Sequence, residues 1–329
     1  MLAEDLQYNL QLAGHEAELL QIPFKSYPPT SLVNTVMAAR LLDVSEANGG
    51  CIDKVIGLKF PAWSVQHDNK SFWVLHQHRT AYELWGAEHS DIPNTAEGLR
   101  VKEIIEREDQ RVLLGQSQVY TISQTVSDRL KYYSQVDSQV LYPPPRDGEL
   151  YFSDSAKDYL FYPSRVTALK RQKLIVEALA HTEEAVKVVF AGNPDSEGYL
   201  NELKELASKM GVADRVTWLG YISDTEKREL YAQALAVIFT PIQEDYGYIT
   251  PEAMLSSKPV IACSDSGAVL EFVENGINGF VSEPTAIELA KAMDSAWSDR
   301  KNLATMGEAA KETVEAKDLS WDKIIQSLL

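Results

Sequence analysis

The sequence predicts an α/β chain built from two parallel-sheet domains, and three observations carry that expectation. Residues 235–264, LAVIFTPIQEDYGYITPEAMLSSKPVIACS, read as buried strand, polar loop, short helix and second buried strand. Short apolar runs alternate with helical stretches along the rest of the chain, as parallel sheets require. The 329 residues suit two domains of ordinary size, and Pro143-Pro-Pro145 with Arg146-Asp-Gly148 breaks the pattern near the middle.

Taken in order, Leu2–Leu12 reads as a helix ended near Gly14, and Glu16–Ile22 as a strand. A helix is expected over about 30–42, then a turn at Gly49-Gly50 and a strand over Asp53–Leu58. Phe72–Leu75 is a further strand that runs into His76-Gln77-His78-Arg79. Residues 95–114 form a charged helix with Glu and Arg alternating on a solvated face. Val119–Ile122 is a strand, Ser123 caps the next helix, and Gln139–Tyr142 is extended. Beyond the prolines, Tyr159–Tyr162 is a strand, and Arg165, Lys170, Arg171 and Lys173 follow as a cationic cluster. A helix then runs to Leu179. Val186–Phe190 and Val216–Leu219 are strands that flank a helix over Leu200–Met210. Helices follow Glu283, and Ser320 caps the last one. The expected division is 1–145, 146–310 and a terminal segment, 311–329, packed back on the first domain.

Composition excludes several classes. A net charge of −17 argues against nucleic acid as a partner, because phosphate contacts need a basic face. It also argues against general attraction to anionic lipid, although a local basic patch could make a peripheral membrane contact. No apolar run is long enough for a membrane span and no leader pattern is evident. The two cysteines, Cys51 and Cys263, have no metal-ligand spacing around them. A cytoplasmic setting is expected. His15, in its Gly-His-Glu turn, reads as structural.

The chemistry concentrates in the 235–264 stretch. Glu244 and Glu252 have seven residues between them, which on one continuous helix would set them about 12 Å apart along the axis. Pro251 forbids that arrangement, so Glu244 belongs to the loop and Glu252 to the first helical turn. Thr250 reads as the N-cap with proline at the first helical position. Gly247 would let a ligand approach the backbone, and the helix start would favour an anion. A capped helix with a solvated acidic start explains the same residues, and spacing alone leaves both readings open.

Glu244-Asp-Tyr-Gly-Tyr-Ile-Thr-Pro-Glu252-Ala-Met, followed by Lys258-Pro-Val-Ile-Ala, resembles the E-x7-E signature of retaining GT-B glycosyltransferases of family 4. The likeness extends over Gly267-Ala-Val-Leu-Glu271, Asn275-Gly-Ile-Asn-Gly279 and Glu283-Pro284. It implies two Rossmann-like domains facing a cleft, the first on the acceptor side and the second binding a nucleotide-sugar. That family opens with a strand and a glycine-rich loop before the first helix. Neither precedes Leu2, so a truncated amino-terminal domain is expected, through a late start, a gap closed by neighbouring strands, or a degraded copy.

The resemblance also implies roles. Arg165 and Lys170 match an arginine and a lysine that hold the donor diphosphate, though Arg171 stands where a glycine is usual. Glu252 would bind the ribose hydroxyls. Glu244, with the amides of Tyr246, Gly247, Tyr248 and Ile249, would hold the sugar hydroxyls and the phosphate. His76, better placed than His78, would lie beside the donor sugar, unless either histidine only caps its strand. Gly192 and Asn193 would face the cleft, and the loop at Tyr221 would lie against the base. Glu244, His76, Lys170 and Arg165 form the expected catalytic set, with no metal and no cofactor beyond a UDP-, GDP- or TDP-sugar substrate. The expected reaction transfers a hexosyl group with retention to a glycan, a lipid-linked glycan or a small molecule. The leaving diphosphate would take the acceptor's proton. A catalytically silent nucleotide-sugar-binding protein and a retaining glycoside hydrolase are the competing readings. A nicotinamide enzyme is disfavoured, since no G-x-G-x-x-G follows a strand.

Overall fold

The computed structural model describes residues 2–47, 49–87 and 90–329. The chain divides into two compact units, residues 1–144 with Ser320–Leu329, and Pro145–Leu319.

In the first unit, α1 (Leu2–Leu12) and α2 (Thr30–Leu41) precede a small antiparallel pair, β1 (Glu46–Ala47) and β2 (Gly50–Cys51). β3 (Val55–Gly57), β4 (Lys70–Val74), α3 (Ala96–Leu113), β5 (Val119–Thr121), α4 (Gln124–Ser134) and β6 (Gln139–Val140) follow. The four strands β3-β4-β5-β6 lie side by side in that order, all parallel. β4 is central, and its Phe72, Trp73 and Val74 are fully buried. The chain's last helix also belongs to this unit. Its Ile324, Ile325 and Leu328 are buried, Trp321 meets Trp73 edge-on at 6.2 Å, and Ser71 Oγ donates to the Leu328 carbonyl at 2.6 Å. α1 turns Leu2, Leu6 and Leu10 inward, a four-residue spacing that marks one helical face.

The strand expected over Glu16–Ile22 is absent; the segment has no regular structure and Leu20 is exposed. An extended run becomes a strand only when a neighbour accepts its backbone bonds. Here the side chains of Gln7 and Gln11, on α1, both bond the Ala17 carbonyl in place of a sheet partner.

The second unit runs β7 (Leu160–Pro163), α5 (Gln172–Leu179), β8 (Val188–Ala191), α6 (Glu197–Lys209), β9 (Val216–Trp218), α7 (Asp224–Gln233), β10 (Ala236–Ile238), α8 (Ile249–Leu255), β11 (Val260–Cys263), β12 (Gly279–Ser282), α9 (Ala286–Ser298) and α10 (Arg300–Ala316). α11 (Trp321–Leu328) is the helix described with the first unit. The six strands are parallel in the order β9-β8-β7-β10-β11-β12. β7, β10 and β11 carry uninterrupted apolar stretches buried on both faces, as a helix-covered parallel sheet demands. The winding starts at β7, runs outward to β9, then returns beside β7 with β10. The carboxyl ends of β7 and β10 therefore flank the switch point, where open α/β sheets take their ligands.

Candidate active site

Lys170 and Glu244 meet at that switch point. The Lys170 ammonium pairs with the Glu244 carboxylate, each side chain about one-fifth exposed, and lies 5.2 Å from the Phe239 ring centroid. The lysine's backbone is held as well, since its carbonyl accepts from the Tyr162 hydroxyl. Burial first, and then the Glu244 charge, hold that phenol well above its ordinary range, so it stays a proton donor. One residue earlier, the Leu169 carbonyl accepts the Ile242 N–H at 2.9 Å, tying the Lys170 turn to the Glu244 loop.

Arg171 sits at φ +57, in the left-handed region. A side chain there costs about 1–2 kcal/mol, which explains why a glycine is the usual occupant. Here the guanidinium grips Asp265 with two bonds, one of 2.6 Å, and this pairing raises the arginine's proton affinity.

The Glu244 loop is shaped by the protein itself. Gly247 has φ +77, and a Cβ there would stand 2.6 Å from Phe239 Cε1 and 3.2 Å from Glu244 Cγ. Phe239 and Glu244 thus fill the space a side chain would need, and only glycine fits at this position. Tyr246 is buried, its ring 5.8 Å from that of Phe272, and Tyr248 packs edge-on to it at 4.9 Å. α8 begins at Ile249, with Tyr248 at the cap, and not at Pro251 as the sequence suggested. The left-handed Gly247 lets its carbonyl take the Thr250 N–H at 2.9 Å, which starts the turn two residues early. Proline is still tolerated, because the first turn's N–H groups have no intrahelical acceptor. The Thr250 hydroxyl, expected to cap the helix, is buried without a partner among the described residues.

Glu252 lies on the first turn of α8 and is buried, yet its carboxylate is fully answered. Lys227 Nζ lies 3.1 Å from Oε1, and the Tyr231 hydroxyl donates to Oε2 at 2.9 Å. Burial and the carboxylate's charge push the Tyr231 and Tyr151 phenols far up, so both remain donors. α7 delivers Lys227 and Tyr231 from a reciprocal cap in which Ser223 and Glu226 bond each other's backbone.

Beside these groups an open recess is lined by Ser164, Arg165, Gly192, Tyr221, Ile222 and Lys227. Gly192, at φ +138, is required there, because a Cβ would lie 2.3 Å from the Ser164 carbonyl oxygen. Arg165 is 69% exposed and paired with Asp195 at 2.9 Å. Tyr221 is 77% exposed, its ring open to a ligand's face. The Asn193 carbonyl accepts the Val166 N–H at 3.0 Å, and this closes the turn behind Arg165.

Residues 151–313 match the family described as glycosyl transferases group 1. This half of the chain belongs to that family. Human alpha-1,3/1,6-mannosyltransferase ALG2 is 28% identical over 213 residues, covering 58% of this chain and 51% of the relative. The chain spans about half the length, or less, of the first curated relatives it matches. Among solved structures, sucrose-phosphate synthase from Thermosynechococcus elongatus superposes with a TM-score of 0.76 at 17% identity, covering 98% of this chain and 89% of the other. Anabaena HepE, crystallised with UDP and glucose, gives 0.68 at 20% identity over 96% and 86% of the two chains. Both likenesses give this chain the GT-B fold.

Set against the group 1 signature, the structure brings Glu244 and Lys170 into contact and lines one recess with Arg165, Gly192 and Tyr221. Glu252 joins them through Lys227, which stands on the recess wall. His76 and His78 belong to the amino-terminal unit, just beyond the carboxyl end of β4. His76 Nδ1 is 2.6 Å from the Gln77 carbonyl oxygen, and His78 Nε2 is 3.2 Å from Asp91, with the Phe60 ring 5.3 Å away. Between them Gln77 points inward, donating to Asp109 at 3.0 Å and to Ser134 at 2.9 Å. Asp109 is fully buried and also accepts from Trp63 at 3.1 Å and Tyr82 at 2.7 Å. Burial pushes its carboxyl up to about 6, against the pull of those bonds.

Lys227, Tyr231, Tyr151 and Asp265 escaped the sequence reading. The Ser223-x-x-Glu226 pattern is a readable helix start and would have located α7. Nothing local marks Tyr151 or Asp265, because their partners are about a hundred residues away.

Proposed function

We propose that the chain moves a hexosyl group from a nucleotide-sugar to an acceptor, with retention at the anomeric carbon. The observation that carries this reading is the Lys170–Glu244 pair at the β7/β10 switch point, beside the recess that Arg165 lines. A departing nucleoside diphosphate gathers negative charge, and fixed cations stabilise it most where water is partly excluded. Lys170, about one-fifth exposed and pinned through both its ammonium and its carbonyl, is such a group. Arg165 supplies a second, mobile cation once it releases Asp195. Glu244 holds the sugar hydroxyls, with the backbone of residues 246–249 beside it, and Glu252 takes the ribose. The leaving diphosphate accepts the acceptor's proton on the same face.

The relatives support the class of reaction: one is named for mannosyl transfer, and one neighbour was solved with UDP and glucose. Hydrolysis by the two carboxylates would call for neither cation. Retaining glycosidases instead need a free carboxylate pair about 5–5.5 Å apart. In this chain Glu244 and Glu252 are each occupied by a lysine of their own.

The test is a panel of UDP-, GDP- and TDP-hexoses scored for release of the nucleoside diphosphate and for the anomer of the released sugar. Turnover of one donor class with the α configuration kept is the expected result. Binding without turnover by any donor would replace the reading with a silent nucleotide-sugar-binding protein.

A further inference from the structure

We propose that Arg171 and Asp265 form a positioning clip that holds Lys170 in register with Glu244, replacing the conformational freedom a glycine would give at residue 171. The inference rests on the diphosphate role given to Lys170 above. Arg171 and Asp265 act in it through Lys170 and Glu244.

The geometry is specific. Lys170 closes the short turn Ala168–Lys170, and the chain then reverses through Arg171 at φ +57, ψ +35. A glycine would make that reversal freely and leave the turn loose. Arginine makes it against a steric cost and then locks it, because its guanidinium spans to Asp265, in the turn after β11. The arginine is 16% exposed and the aspartate 34%, so the guanidinium is largely withdrawn from water while the carboxylate stays partly solvated. A planar fork on a carboxylate fixes direction as well as distance.

The same Asp265 turn carries the other half of the active pair. The Asp265 carbonyl accepts the Gln243 N–H at 3.0 Å, and the next carbonyl, of Ser266, accepts the Glu244 N–H at 3.2 Å. The Glu244 carbonyl in turn accepts from Ala268 at 3.0 Å. Lys170 and Glu244 therefore hang from the two ends of one ion pair, Lys170 through its neighbour Arg171 and Glu244 through the backbone beside Asp265. Losing the clip frees the turn at 171 while leaving both active side chains in the sequence.

Two variants remove the clip differently. Arg171→Gly also removes the steric cost, so the fold is expected to hold; Asp265→Asn keeps size and shape. Exposure of the Lys170 amine is read first, by brief acetylation of the folded protein and peptide mass spectrometry, with exposed Lys173 as internal reference. Both variants should label Lys170 severalfold faster relative to Lys173, at a temperature where thermal melts show each variant fully folded. Equal labelling of wild type and both variants overturns the clip. The second reading is affinity for UDP, GDP and TDP against the matching nucleosides. For whichever diphosphate binds the wild type, both variants should lose roughly tenfold, the weight of one misaligned charged hydrogen bond, while nucleoside affinity stays put. Unchanged diphosphate affinity overturns the positioning role. A wild type that binds none of the three nucleotides defeats the donor reading instead, and the labelling result still decides whether the clip holds Lys170.

Discussion

Glu252 and Asp109 are both buried carboxylates, one in each unit of this chain, and they are satisfied in opposite ways. Glu252 faces a lysine and a tyrosine hydroxyl, so its charge is balanced where it stands. Asp109 receives three neutral donors, from Trp63, Gln77 and Tyr82, and the neighbouring charge of Glu108 pushes it further toward the protonated form. The carboxyl-terminal unit pairs Glu244 with Lys170 and Glu252 with Lys227. The amino-terminal unit uses its acid to tie down a loop, and there the charge is a cost. One arrangement balances charge with charge, and the other meets a carboxyl with neutral donors alone.

The largest expected effect breaks the charge-balanced side. Lys170→Ala should lower donor turnover by about two to three orders of magnitude, as removal of one preorganised charge-stabilising group does. Its melting temperature should stay close to wild type, because the lysine is not in the core; steady-state kinetics beside a thermal melt checks both.

The amino-terminal unit should answer to pH. The folded state holds the Asp109 proton near 6, above the ordinary 3.8 of the unfolded chain. Stability from this group is therefore greatest below about pH 4 and is lost as the pH rises through about 6, by up to about 3 kcal/mol. Urea titrations of wild type and Asp109→Asn across that window should show the gap between them sloping with pH and then flattening. A constant gap would place the carboxyl's proton elsewhere.

Glu252→Ala tests the balanced acid by stranding Lys227 and the Tyr231 hydroxyl. Loss of about 1–3 kcal/mol is expected, with Glu252→Gln costing less because it keeps an acceptor for the phenol. The smallest change is Ser223→Ala, which removes one half of the reciprocal cap on α7. It should cost about 1 kcal/mol and loosen the helix that carries Lys227 and Tyr231.

The same contrast explains what could be read from the sequence. The candidate site in the carboxyl-terminal unit is written in short-range spacing: Glu244 to Glu252, Arg165 to Lys170, and the apolar runs that became β7, β10 and β11. Those features survive translation into structure because loop and helix lengths fix them locally. Thr250 was misread because the left-handed Gly247 moves the helix start, and a capping pattern does not report a neighbour's φ. Glu16–Ile22 was misread because alternation states a preference and pairing needs a partner. Asp109 gave no signal at all; on a charged helix it looks like any solvated acid until Trp63, Gln77 and Tyr82 close over it. Arg171 was legible as a departure from the family pattern, but its partner Asp265, 94 residues on, was not.

The central claim is that the switch-point cations serve a nucleoside diphosphate, and a crystal structure with the bound diphosphate tests it most directly. The account predicts the distal phosphate within hydrogen-bonding distance of Lys170 Nζ, Arg165 released from Asp195, and the base against Tyr221. A nucleotide seated away from Lys170, with the lysine still closed on Glu244, would contradict it.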